Sequence, residues 1–207
     1  MYLFSRSTIA ALGRQFDAIP AALEVAEMVG KITARDVNVF TVRFGAPMGT
    51  IMWSVRAESL AEMQENTDKL MADSGYLEKV QSMNGLFMTP AEDRFARIIT
   101  GPDEATSKYY GITRAAMMTG KFADAMALGV EAAEHIGQST KRPSAFLKAA
   151  YGGFADVTWV TGFDSMDEVD AFDEWQMSDS GYHSIVARAG DLFVESSGHT
   201  SLIEKLN

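Results

Sequence analysis

An α+β fold built from one β-α-β-β-α-β order repeated in tandem is predicted by three observations. The chain carries one stretch twice: Trp53 through Met71-Ala72-Asp73-Ser74-Gly75-Tyr76 to Phe87, then Trp159 through Met177-Ser178-Asp179-Ser180-Gly181-Tyr182 to Phe193, with matching residues 106 positions apart. Earlier landmarks (Gly13/Gly120, Gly30/Gly137, Phe44-Gly45/Tyr151-Gly152) are offset by 107 instead. The offset changes once, inside a turn, where losing a residue costs least. Such a pattern marks a duplication. Finally, Ser59-Leu60-Ala61-Glu62 and Ser165-Met166-Asp167-Glu168 are capping boxes at the same place in each copy.

Taken in order, Tyr2 to Ala10 alternates as a strand and Gly13 ends it. A helical stripe of Ile19, Leu23 and Ala26 follows. Pro20 is tolerated only in a first turn, which predicts a start near Asp17, and Gly30 predicts the end. Val37–Phe44 and Thr50–Arg56 form a hairpin about the Gly45-Ala46-Pro47-Met48-Gly49 turn. The Ser59 box opens a helix with Leu60, Met63, Thr67 and Leu70 inward, ending near Met71. Asp73-Ser74-Gly75-Tyr76 reads as a helix stop, with glycine supplying the positive φ and Tyr76 to Val80 adding one more turn. Arg94 to Thr100 is the fourth strand. The second copy repeats this order: a strand at Tyr109–Met118, a helix at Phe122–Ile136 closed by Gly137, a hairpin at Ser144–Tyr151 and Asp156–Phe163, a helix from the Ser165 box, and a strand at Ser201–Leu206. Two domains are expected, 1–101 and 108–207, joined by a linker at 102–107.

At 207 residues, 47% of them hydrophobic and 22% charged, the composition is that of a globular protein. The absence of cysteine excludes disulfides, thiolate metal sites and a Cys nucleophile. Net charge is −10, and both halves are acidic: residues 1–106 hold 10 basic and 14 acidic groups, residues 107–207 hold 8 and 14. Neither nucleic acid nor an anionic membrane is an expected partner. No segment has the roughly 18 consecutive apolar residues of a membrane span and no leader is read, so a cytoplasmic location is expected.

Apolar residues on both faces of Val37–Phe44 and Ser144–Tyr151 demand cover on both sides, and a second four-stranded unit supplies it. The duplicated β-α-β-β-α-β order resembles the dimeric α/β-barrel superfamily, whose ferredoxin-like units pack sheet to sheet. That superfamily includes antibiotic-biosynthesis monooxygenases, stress-responsive barrel proteins, NIPSNAP-like proteins and chlorite-dismutase-like haem proteins. The resemblance covers nearly the whole length, with both units fused in one chain, and it rests on element order rather than on a functional motif.

No catalytic residue is identifiable. The ligand-binding candidates are Arg43, Trp53, Arg56, Tyr76, Trp159, Tyr182 and His183. Trp53 and Trp159 sit in equivalent strands, where a large ring serves as core or as a pocket wall. Tyr76 and Tyr182 belong to the retained tetrapeptide. Arg43 and Arg56 are replaced by Ala150 and Gly162 in the second copy. That asymmetry places an expected site in the first half, between helices and sheet, where the resemblance puts ligands. Of His135, His183 and His199, none has a twin; His135 is expected at the surface near a helix end, while His183 could face a pocket. No spacing suits a metal. The leading expectation is a small-molecule-binding barrel, in one form a monooxygenase-like enzyme acting on an apolar or aromatic compound without a tightly bound cofactor. The alternative is an assembly protein using its barrel for homo-oligomerisation. A third reading is a haem-binding barrel, for which His183 would be the ligand.

Overall fold

The computed structural model describes residues 1–102 and 104–207; Asp103, in the expected linker, lies outside the described residues. The elements run β1 (Tyr2–Ile9), α1 (Gln15–Thr33), β2 (Val37–Phe44), β3 (Thr50–Ala57), α2 (Leu60–Ala72), α3 (Ser74–Ser82) and β4 (Glu92–Thr100). The second copy gives β5 (Tyr109–Ala116), α4 (Phe122–Thr140), β6 (Ser144–Tyr151), β7 (Asp156–Phe163), α5 (Met166–Ser178), α6 (Ser180–Ala189) and β8 (His199–Lys205). The strand order is β1-β3-β2-β8-β5-β7-β6-β4 in a closed barrel. The change of offset falls in the hairpin loops, 45–49 in the first copy and the shorter 152–155 in the second. The chain forms two compact units, Met1–Phe95 with Lys205–Asn207, and Ala96–Glu204.

In the first unit β3 pairs antiparallel with β1 and β2, so that Arg6, Trp53 and Val39 line up across one face. This face receives α1 through Ala18, Ala22 and Ala26, a stripe of small residues one turn apart that is almost wholly buried. In the second unit Ala125, Gly129 and Ala133 repeat the stripe against Val157 and Phe146. Small side chains let each helix lie close to its sheet. As a result the Trp53 indole N–H donates to the Ala22 carbonyl at 3.0 Å, and that of Trp159 to the Gly129 carbonyl at 2.9 Å.

The same closeness is reached with different volumes. Ala22 faces Val39, whereas their counterparts are Gly129 and Phe146. A Cβ on Gly129 would stand 2.2 Å from Phe146 Cζ, so bulk has moved from helix to strand.

The structure corrects the expected helix ends. α1 begins before Pro20: the first bond of the helical ladder runs from Ala18 N–H to the Arg14 carbonyl, and the carbonyl that Pro20 cannot serve belongs to the exposed Phe16. Gly30 and Gly137 lie inside their helices. The chain leaves the helical path at Ala34 and Lys141 instead, in left-handed conformations at φ 54° and 59°. Just before these, Thr33 and Thr140 donate their hydroxyls to the Val29 and Ile136 carbonyls.

The retained tetrapeptide is corrected as well. Gly75 and Gly181 have no positive φ. Asp73 and Asp179 are N-caps, each accepting from the Tyr backbone N–H three residues on, at 2.8 and 2.7 Å. The motif therefore starts a helix, α3 or α6, rather than merely stopping one. The capping boxes form as expected at Ser59 and Ser165, except that the Glu62 and Glu168 carboxylates reach one residue further back, to the N–H groups of Glu58 and Asp164.

Candidate functional site

Each predicted ligand residue now has a place. Trp53 and Trp159 dock helices: beyond their indole bonds they meet Phe87 edge-on at 6.1 Å and Phe193 at 5.5 Å. Arg43 and Arg56 are not brought together. By the pairing of Val37 with Val55, Arg56 is level with position 36, seven residues from Arg43 along β2. At about 3.3 Å per residue they are roughly 23 Å apart, beyond the span of one small molecule. Arg43 is exposed, and the Arg56 guanidinium meets the Met1 sulfur at 3.5 Å.

His183 lies exposed on α6 with Nε2 at 2.9 Å from the Gln176 carbonyl, a placement that does not fit a haem ligand, which needs an imidazole facing an enclosed pocket. His135, expected at the surface, is half-buried. Its Nε2 meets Asp179 Oδ1 at 2.7 Å and its ring lies 5.9 Å from that of Trp175. Since the carboxylate oxygen accepts, Nε2 carries the proton. The His135 hydrogen bond, followed by that of the Tyr182 N–H, holds the Asp179 carboxyl below its ordinary value. Gly181 makes room for this: a Cβ there would stand 2.5 Å from His135 Cε1.

The two units differ most in the layer between the paired helices and the sheet. In the second unit it is filled by rings: Phe163 meets Phe172 at 5.2 Å, Phe172 stacks on Trp175 at 5.4 Å, and Trp175 meets Tyr182 at 5.2 Å. The Tyr182 hydroxyl accepts from Gln176 Nε2 at 2.8 Å. In the first unit the same four positions hold Ala57, Asn66, Lys69 and Tyr76. Ala57, Asn66 and Tyr76 are buried, yet two phenylalanine rings have gone and an amide has come in.

Asn66 is only 8% exposed, and it puts an amide where the second unit has the Phe172 ring. In the same unit, Arg6 makes a two-pronged ion pair with Asp93, both contacts 2.7 Å, lies over the Phe4 ring at 5.7 Å, and feels the Tyr76 side chain electrostatically. The Asp93 hydrogen bonds hold the guanidinium above its ordinary pKa against the opposing effect of burial. Donors, acceptors and apolar surface therefore share one layer, which suits orienting a small molecule. Asn66 and Asp93 escaped the sequence reading. The signal was present in the repeat, where Asn66 replaces Phe172 and Ala57 replaces Phe163.

No described group of three His, Asp or Glu side chains could hold a metal ion. No described helix is long and apolar enough to cross a membrane.

The fold is a dimeric α/β-barrel fold with both repeats in one chain. Solved structures similar to it include a provisionally assigned monooxygenase from Fusobacterium nucleatum subsp. nucleatum (TM-score 0.72, 6% identity, covering 100% of this chain and 92% of that one). Another, similarly assigned, comes from Lactobacillus acidophilus NCFM (TM-score 0.70, 8% identity, 99% and 93%). A third is an anthrone oxidase-like protein (TM-score 0.67, 12% identity, 100% and 91%). No family model matches the sequence, and no curated protein does.

Proposed function

We propose that this chain binds a small, largely apolar planar compound in the helix–sheet layer of its first unit. We further propose that it oxidises that compound as a monooxygenase-like barrel without a tightly bound cofactor. The observation that carries this reading is the exchange of Phe163 and Phe172 for Ala57 and Asn66, which puts a little-exposed amide where the second repeat packs a ring. A ligand with a carbonyl or hydroxyl edge would hydrogen-bond the amide, and Ala57 is small where the second repeat carries Phe163. Tyr76 and the Arg6–Asp93 pair bound the layer with further polar groups. Likeness to an anthrone oxidase-like protein suggests the first compound to try. With anthrone the chemistry balances without an added reductant: the CH2 group and O2 give a carbonyl and one water, the substrate supplying all four electrons.

The test is calorimetric titration with anthrone, together with oxygen uptake, on wild type and on Asn66→Phe. Filling the layer with the second repeat's residue should weaken binding at least about tenfold, the equivalent of about 1.4 kcal/mol. It should do so without lowering the melting temperature. Equal binding and turnover in the variant would remove the proposal.

A further inference from the structure

One end of the first unit exposes large apolar side chains that the fold does not use. Leu12 follows β1 and is 85% exposed, Phe16 opens α1 at 89%, Phe44 ends β2 at 64%, and Met48 in the hairpin loop is at 81%. The segments that carry them meet: Ala10 N–H donates to the Gly49 carbonyl at 2.9 Å, and a Cβ on Gly49 would stand 3.4 Å from the Gln15 amide nitrogen. The duplication kept this character at the hairpin, while Thr119 and Ala123 stand where the first copy has Leu12 and Phe16. Tyr151 and Phe154, the counterparts of Phe44 and Met48, are 64% and 86% exposed. Exposed rings at one tip are easily lost by substitution, so their presence in both copies argues for use.

We propose that the Leu12–Phe16–Phe44–Met48 end is the surface through which two copies of this chain associate. Two arguments select a second copy as the occupant. The first is area. At about 150–200 Å² for each large side chain, the measured exposures leave on the order of 500 Å² of apolar surface. That is most of the roughly 800 Å² per partner that a standard interface buries, with neighbouring backbone and polar rim supplying the rest. The second is charge. The residues that build this end, 10–16 and 43–50, contain Arg14 and Arg43 and no Asp or Glu, in a chain of net charge −10. Copies of so acidic a chain repel over most of their surface, and least at this end. Arg14 is moreover neutralised by Asp17 at 2.9 Å. The second-unit tip is less suited: Asp156 adjoins it, Thr119 stands where the first has Leu12, and Lys148 already lies over the Phe154 ring at 5.3 Å. This inference is independent of the ligand reading.

Sedimentation velocity of the full chain, from sub-micromolar to near-millimolar concentration, tests it. Wild type should pass from monomer to dimer. Phe16→Glu/Met48→Glu should raise the dissociation constant about a hundredfold or more, as expected when two central anchors are lost. Phe154→Glu, in the second unit, should leave it unchanged. Far-ultraviolet circular dichroism melts confirm that each variant folds. A wild type that stays monomeric throughout overturns the proposal, as does a dimer that survives the double variant. A monomer that co-sediments with phosphatidylcholine–phosphatidylserine vesicles would overturn it in favour of a lipid surface.

Discussion

The exchange of bulk between Gly129 and Phe146 can be measured by transplanting the first repeat's solution into the second. Gly129→Ala places a methyl 2.2, 2.5 and 2.7 Å from three carbons of the Phe146 ring. The ring cannot simply swing away. It is fully buried and lies 5.1 Å from Trp159, whose indole holds the carbonyl of Gly129 itself. Overpacking of this kind costs about 3 kcal/mol, and the gain of roughly 1 kcal/mol from replacing glycine in a helix offsets part of it, leaving about 2. Phe146→Val alone removes a ring without refilling its space and should cost about 2–3 kcal/mol. The double variant recreates the Ala22–Val39 pair, in which both residues are fully buried, and should lie within about 1 kcal/mol of wild type. The coupling is then about −4 kcal/mol, read from urea midpoints at constant m-value. A double variant as unstable as its two singles combined would refute the compensation, and with it the claim that the stripe of small residues sets the helix–sheet distance.

Two further outcomes follow from the helix pairs. Gly181→Ala should destabilise the chain more than Gly75→Ala in thermal melts. The new methyl meets the His135 ring at 2.5 Å in one case, but only Asp73 Oδ1 at 3.3 Å and the end of Met28 at 3.9 Å in the other. The Asp179 carboxyl is held low in the folded state, chiefly by His135, so the stability it contributes is present above the ordinary carboxylate value near 4 and disappears as pH falls through the lower folded value. Urea midpoints of wild type and Asp179→Asn should accordingly differ above about pH 5 and converge on acidification. Carboxyl-carbon NMR of His135→Met should show the Asp179 pKa rising towards its ordinary value.

What the sequence made legible follows from which chemistry is local. Hairpins were placed to within one residue because alternation and glycine turns are properties of adjacent positions, and both capping boxes were visible for the same reason. Helix ends were less so. Gly30 and Gly137 carry the signal of a C-terminal stop, but the helices run on to Thr33 and Thr140 and turn at the non-glycine residues Ala34 and Lys141. Asp-Ser-Gly was ambiguous in a different way, since a cap that begins a helix uses the same residue types as a turn that ends one. The Arg43–Arg56 site failed on register, a long-range property that residue identity does not carry. Asn66 was hidden within a helical stripe and stands out only beside Phe172, its counterpart in a core that is filled.

The strand β2 is completed by residues synthesised last among those described. Leu206 N–H donates to the Val39 carbonyl, and the Asn207 side chain both accepts from Val39 N–H and donates to the Val37 carbonyl, each at 2.8 Å. Lys205–Asn207 accordingly belong to the first unit. For a chain emerging from the ribosome, this leaves the first unit unfinished while more than a hundred further residues are added. A fragment ending at residue 104 lacks these partners altogether, and its β2 backbone is left open to any other strand edge. The duplication therefore did not produce two modules that mature one after the other. It tied the completion of the first to the synthesis of the second.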